Sequence, residues 1–304
     1  MSKEISMLFG HGRNTLKPQC FPKACDIIRL HDSGTGWSSL EPTKGNYNWT
    51  TLDAHLAAAE VAGIPVLYVF SRTPEWTAQP GFGVGAGVPG IVNPTSNRPP
   101  LLQDWSDFIA ALLSHVRRAD GTFRIQYWEM WNETNALQFW NGSDAQLLAM
   151  AKILYQLVKA YSPTMQVTTP TPCWNTTSAD AAMNTYFSEG FQQYADIVSF
   201  HGYQALTVPA MAIGLTIDNM YAVMADYGVT KPLWDTEYGF GDPTRLSYAQ
   251  QRQWVMDSLI IRLQKRLGAS IAYQWDNLTH MTCVSWAGVL TAAGHAFVDF
   301  YSAL

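Results

Sequence analysis

Short apolar runs alternate with longer amphipathic stretches from one end of this chain to the other, and that alternation constrains the fold more than any other feature. Eight runs qualify as strands: 5–9, 26–31, 65–70, 124–130, 165–169, 196–201, 232–236 and 270–275. They are apolar nearly throughout rather than every second residue, the pattern of parallel strands covered on both faces. The segments between them carry helix signals. Thr50 opens one helix with a capping-box partner at Asp53, and Gly63 ends it. Over 105–118, Phe108, Ile109, Leu112, Leu113 and Val116 fall on one stripe. Ser143 with Gln146 and Ser247 with Gln250 begin two more, and Gly268 stops the latter. Segments 178–194, 216–227 and 292–303 supply the rest, while Pro18 and Pro22 break any long helix in 10–25.

Eight strands and seven helices predict an α/β fold, a single (β/α)8 TIM barrel spanning 1–304 as one catalytic domain; a doubly wound open sheet is the structural alternative. No linker, repeat or shift in composition marks a second domain. Gly85, Gly87 and Gly90 match a dinucleotide fingerprint in spacing, but Pro89 and Pro94 follow where a helix must begin, so the match is rejected.

Composition narrows the partners. Net charge is −5 with no block of one sign, which argues against nucleic acid and against an anionic membrane surface. No apolar run reaches the ~18 residues that span a bilayer. The first residues do not read as a signal peptide, so the expected compartment is cytoplasmic, or secreted or periplasmic if a leader has been removed. Cys20 and Cys25 are close enough to pair in an oxidising compartment, and free buried thiols are the other reading. Oligomeric state is left open. Asn48 and Asn141 stand in glycosylation sequons.

Barrel enzymes keep their reactive groups at the C-terminal ends of the strands. Read in that order, the second run ends in Arg29, His31 and Asp32, and the fourth in Trp131-Asn132-Glu133. The sixth offers His201 and Tyr203, the seventh Glu237 and the eighth Trp275. Two carboxylates thus face one mouth from opposite parts of the chain. Glycoside hydrolysis with retention needs such a pair about 5–5.5 Å apart, one attacking the anomeric carbon and one protonating the leaving oxygen. The charge of the first keeps the second protonated as an acid; once the sugar esterifies the first, the second can act as base toward water. Arg29, His201 and Tyr203 are candidate donors that hold Glu237 ionised, and Asn132 is a candidate contact to a sugar 2-hydroxyl.

Arg29-Leu30-His31-Asp32, Leu40 to Trp49, Tyr127-Trp128-Glu129-Met130-Trp131-Asn132-Glu133 and Trp234-Asp235-Thr236-Glu237-Tyr238-Gly239 together resemble clan A of the glycoside hydrolases, and within it family 39 and its relatives. The resemblance implies Glu133 as acid/base, Glu237 as nucleophile and Asn132 on a substrate hydroxyl, with Arg29, His201, Tyr203 and Trp275 in support. The chain departs from the clan's habits in having Thr134 where Pro often follows the acid/base, and Ser71-Arg72 where a His often ends the third strand.

Other residues carry blander expectations. Glu129 lies deeper in its strand and reads as structural, and Glu41 before Pro42 reads as fixing a loop. Asp32 and Asp235 divide evenly between rim bonding and substrate contact. His11 divides between loop packing and substrate. His55, His115 and His295 fall on helices, and no His-x-His or His-Glu-x-x-His pattern points to a metal. Nor does a Gly-x-Ser-x-Gly elbow occur. Trp76, Trp140, Trp174 and Trp286 follow strands; each alone reads as packing, but together they predict an aromatic-walled cleft, with 79–100 as one wall. The expected activity is a retaining β-glycosidase that cuts a poly- or oligosaccharide internally and needs no metal or cofactor. An exo-acting β-xylosidase-like enzyme, a non-catalytic carbohydrate-binding barrel and a metal-dependent hydrolase are the rivals.

Overall fold

The computed structural model describes residues 7–17, 20–22, 24–80, 96–173, 179–203, 209, 212–240, 245–276, 281, 283, 285 and 288–304. Eight strands form one parallel sheet: β1 (Leu8–Gly12), β2 (Ile27–Leu30), β3 (Val66–Val69), β4 (Tyr127–Met130), β5 (Gln166–Pro170), β6 (Val198–His201), β7 (Leu233–Tyr238) and β8 (Ala269–Ala272). The order β5-β4-β3-β2-β1-β8-β7-β6 leaves one seam, between β5 and β6. There Thr169 N donates to Ile197 O (2.9 Å), His201 N to Pro172 O (2.9 Å), and Ser199 bonds Thr169 and Thr171 through hydroxyl groups. A (β/α)8 barrel results, and the open-sheet alternative falls.

Each strand from β2 onward is followed by its helix: α2 (Thr50–Ala62), preceded by the single turn α1 (Trp37–Leu40), then α3 (Leu102–His115), α4 (Asp144–Tyr161), α5 (Ala179–Glu189), α6 (Ile213–Asp226), α7 (Tyr248–Gln264) and α8 (Ala292–Ala303). Among the described residues no α-helix joins β1 to β2, the slot that Pro18 and Pro22 interrupt. Among the described residues, no helix is long and apolar enough to cross a membrane.

Most boundaries fall within a few residues of expectation, and the exceptions have causes. β1 runs to Gly12 because Gly10 is a strand residue on the crowded inner face, where a Cβ would lie 2.6 Å from Ile27 Cγ2. The Thr50–Asp53 capping box does not form: Trp49 is the N-cap, and Asp53 instead takes Arg124 (2.6 Å) and His115 (2.9 Å). Both other boxes are present, Ser143 with Gln146 and Ser247 with Gln250. α3 starts and stops three residues early, and α7 ends at Gln264, before Gly268.

The apolar core has two parts. At the bottom Ile27, Leu67, Ile197, Trp234, Ala269 and Ile271 fill the lumen with Leu8 and Tyr127. A larger cluster, including Trp37, Trp105, Phe108 and Trp128, lies between sheet and helices. Glu41 fixes the loop before α2, accepting from Trp37 Nε1 (2.8 Å) and Gly45 N (2.8 Å). All four cysteines are free and buried, so Cys20 and Cys25 do not pair. Asn141 is buried, out of reach of glycosylation.

Candidate active site

Side chains two residues apart on a strand share a face. Above lumen residues Ile27 and Tyr127, that rule places Arg29 and Glu129 inside the barrel. They meet there as a fork: Arg29 Nε donates to Glu129 Oε2 (2.8 Å) and Nη2 to Oε1 (3.0 Å). Thr236 Oγ1 adds a third bond to Glu129 (3.1 Å). Burial alone would raise the Glu129 carboxyl, but Arg29 and His201 outweigh it and bring its pKa down to about 2. Glu129 is therefore the anchor of Arg29, in the structural role expected of it. The rest of the guanidinium points upward, Nη1 to Glu237 Oε2 (2.5 Å) and Nη2 to Asn132 Oδ1 (2.8 Å).

Simple alternation along β7 would turn Glu237 away from the mouth, since Trp234 faces the lumen and Asp235 faces the helices. A bulge corrects this. The β6–β7 register runs Phe200 opposite Asp235 and then His201 opposite Glu237, so the extra residue lets both Thr236 and Glu237 face inward. The bulge is held from outside. Gly202 N donates to Glu237 O (3.0 Å) and to Asp235 Oδ1 (2.9 Å). Arg262, on α7, donates to Asp235 Oδ2 (2.8 Å) and to Gly202 O (3.1 Å). Arg262 is buried, with Tyr238 3.9 Å beneath its guanidinium. Asp235 thus serves the strand, not the substrate. No side chain fits at Gly202, where a Cβ would lie 2.3 Å from Asp235 Oδ2.

Beyond β4 the chain turns sharply, with Trp131 (φ 66°) and Glu133 (φ 45°) both in the left-handed region that non-glycine residues seldom adopt. Packing holds the turn: Trp131 is buried and donates Nε1 to Phe139 O (2.8 Å). Glu133 Oε1 then meets His201 Nδ1 at 2.9 Å. One carboxylate oxygen of Glu133, one of Glu237 and a ring nitrogen of His201 all lie within 4.8 Å of one another. Tyr203 Oη donates to Glu237 Oε1 at 2.6 Å.

The electrostatics follow from this crowding. Burial pushes the Glu237 carboxyl up, but His201, Arg29, His31 and the Tyr203 bond together hold it below the usual carboxylate range. Burial lowers the His201 pKa, yet Glu237, Glu129 and Glu133 raise it to about 9 against the opposition of Arg29, whose Nη2 lies 3.2 Å from Nε2. The three carboxylates thus favour the protonated ring of His201, and the guanidinium beside Nε2 opposes it.

These groups floor a cavity of about 440 Å³ lined by His31, Asp32, Asn132, Glu133, Gln138, Phe139, Tyr203, Glu237 and Tyr273. Asp32 accepts from Arg72 Nη2 (2.6 Å) and Tyr273 Oη (3.0 Å). His31, with Arg72 and Tyr273, holds the Asp32 carboxyl well below its usual range despite burial. Gln138, Phe139 and Tyr273 were not anticipated. Tyr273 directly follows β8, which ends three residues before Trp275, and its place at that strand end is the signal that could have found it.

Several tryptophans stand elsewhere than expected. Trp275 is buried against the His11 ring, 4.5 Å between centroids, rather than in the cavity. His11 is itself fully buried and bonds Ala24 O (3.1 Å), a packing residue. Trp140 is buried edge-on to Trp131, and Trp76 packs on Trp37 while donating to Glu41 O (3.1 Å). Both fill gaps between loop and helix layer, so the described cavity has Phe139 and two tyrosines for aromatic walls, not tryptophans. Trp174, Trp286 and most of the 79–100 segment, with its glycine pattern, lie outside the described residues.

No family model matches the chain. A 72-residue stretch is 32% identical to a β-xylosidase of Geobacillus stearothermophilus, covering 23% of this chain and 14% of that protein's length. A family 39 β-xylosidase from Caulobacter crescentus superposes with a TM-score of 0.75 at 18% identity, over 100% of this chain and 72% of its own. A glucosidase from Croceicoccus marinus gives 0.73 at 15% identity, covering 98% and 68%. An intracellular xylanase from Thermoanaerobacterium saccharolyticum gives 0.66 at 13%, covering 96% and 95%. At such identities the likeness lies in the fold: this chain is built on the (β/α)8 barrel that family 39 glycoside hydrolases also use.

Proposed function

We propose that the chain is a retaining β-glycoside hydrolase that cleaves a poly- or oligosaccharide by double displacement, with Glu237 as nucleophile and Glu133 as acid/base. One observation carries the reading: an oxygen of each carboxylate lies within 4.8 Å of the other at a single cavity, an approach that suits the close pair a retaining mechanism needs.

Each side chain then has a task. Arg29 and Tyr203 occupy one bond each on the two oxygens of Glu237, keeping it ionised and aimed. Glu237 attacks the anomeric carbon while the bond to the leaving oxygen breaks, and Glu133 gives that oxygen its proton. His201 holds Glu133 through Oε1, so Oε2 is the oxygen that reaches the leaving group. A water, deprotonated by Glu133, then displaces Glu237 from the glycosyl ester. Asn132 gives its carbonyl oxygen to Arg29, which turns its amide N–H toward the cavity and a sugar hydroxyl. No cofactor enters these steps.

Glu133, His201 and Glu237 also have the reach of a metal site. Arg29 and Tyr203 already engage both oxygens of Glu237, and a cation beside Arg29 would meet like charge. This disfavours the metal-dependent reading. The binding-only reading is disfavoured by the presence of both carboxylates.

β-Xylosidases, a glucosidase and a xylanase share this barrel, so xylosides and glucosides are the first substrates to try. The test is the anomeric configuration of the first product, followed by proton NMR during turnover of an aryl β-glycoside. A β-configured product is expected; an α-configured product would exclude the double displacement.

A further inference from the structure

Beside the catalytic cavity lies a second one of about 300 Å³, formed where the loops after β2 and β3 meet. Asp32, Gly34, Gly36, Ser38, Ser39 and Arg72 line it. We propose that it binds a further, uncharged sugar ring of the same substrate chain, making the enzyme one that grips an oligosaccharide at more than the cleaved residue. The proposal rests on the glycosidase reading and deepens it.

The two cavities share Asp32. Its Oδ2 accepts from Tyr273, a wall of the catalytic cavity, and its Oδ1 accepts from Arg72, a wall of the second. Each carboxylate oxygen has a second lone pair, so Asp32 can take one sugar hydroxyl on either side.

The lining selects by chemistry. Arg72 and Asp32 cancel each other's charge at 2.6 Å, so a charged ligand gains little there and a neutral polyol gains most. One of the five guanidinium N–H groups of Arg72 serves Asp32, leaving donors for ring hydroxyls, and Ser38 and Ser39 add two hydroxyls on α1. Among the described residues the lining is polar or glycine, which suits recognition by hydrogen bonding. Gly36 lets the Arg72 side chain pack close against the loop, since a Cβ there would lie 2.9 Å from Arg72 Cδ.

Backbone geometry points the same way. Asp32 (φ 55°) and Arg72 (φ 64°) are both non-glycine residues in the left-handed region, and they are bonded to each other at the junction of the cavities. Strain of this kind collects where function requires a particular side-chain direction.

The test compares two substrates of the sugar that a chromogenic panel shows to be fastest: its β-glycosyl fluoride, which fills only the catalytic cavity, and its linear β-linked trisaccharide. Ser39 is exposed on a one-turn helix, so Ser39→Tyr fills the second cavity without loading the core. The ratio of kcat/KM for trisaccharide over fluoride is expected to fall about tenfold in this variant. An unchanged ratio, with circular dichroism showing the variant folded, overturns the second ring site. Should the wild type turn over neither the panel nor the fluoride, the glycosidase reading itself falls, and the ring site with it.

Discussion

Arg262 and Asp235 form a buried ion pair, 2.8 Å between Nε and Oδ2, in the layer between the sheet and α7. From there the pair clamps Gly202, the residue between His201 and Tyr203, each of which bonds one of the two paired carboxylates. Removing one partner strands a buried charge, which typically costs about 3–5 kcal/mol. Arg262→Met is therefore expected to lower unfolding stability by that amount in urea melts. Asp235→Asn combined with Arg262→Met should recover part of the loss. Full stability in the single variant would show that the pair holds nothing.

Glu237→Ala is expected to lower kcat on an aryl β-glycoside by at least roughly a thousandfold, the scale at which a single reacting group matters. Added azide should restore turnover and yield a glycosyl azide of α configuration. In Glu133→Ala the same nucleophile should give the β-azide. Chromogenic assay with NMR of the azides separates the two roles, and a Glu237→Ala enzyme that kept most of its rate would refute the assignment.

The acid limb of kcat/KM should reflect ionisation of Glu237. Its carboxyl is held low, so activity persists into acid beyond the usual glutamate range near pH 4.3. The Tyr203 bond contributes to that depression, and Tyr203→Phe should move the limb toward higher pH. A limb that stays in place would assign it to another group.

His201 makes stability depend on pH in the opposite sense. Its folded pKa of about 9 exceeds the unfolded value near 6.5, so its contribution is complete below about 6.5 and is lost as pH rises through 9. Urea midpoints should decline across that window, and His201→Gln should flatten the decline.

Chelators bear on the metal alternative. Activity is expected to be unchanged after dialysis against EDTA, and a loss restored by a divalent ion would favour the metal-dependent reading.

The barrel was legible because apolar runs and cap signals repeat in sequence, and strand ends then delimit where reactive groups can stand. Arg29, Glu133 and Glu237 emerged from that search together with the surrounding Trp-Asn and Thr-Glu-Tyr-Gly contexts. What sequence concealed was three-dimensional offset. Nothing in Trp234-Asp235-Thr236 announces the bulge that reverses the facing of Glu237, and Asp235 therefore stayed ambiguous between rim and substrate. Tryptophans misled for a related reason: Trp140 and Trp275 follow strands, yet fold back into the layer behind the loops, while Tyr273 takes the position at the mouth. Asp53 looked like a cap because its distant partners, Arg124 and His115, are 71 and 62 residues away.

Strands β5 and β6 meet through isolated bridges and not a continuous ladder, and Pro170 and Pro172 have no amide to add. Hydroxyls of Thr169, Thr171 and Ser199 complete the joint. Heat should therefore part the cylinder first along this line, whose upper end carries His201. The contact of His201 with Glu133 would then be lost before the helices, so loss of the proposed activity on warming would run ahead of the far-ultraviolet signal.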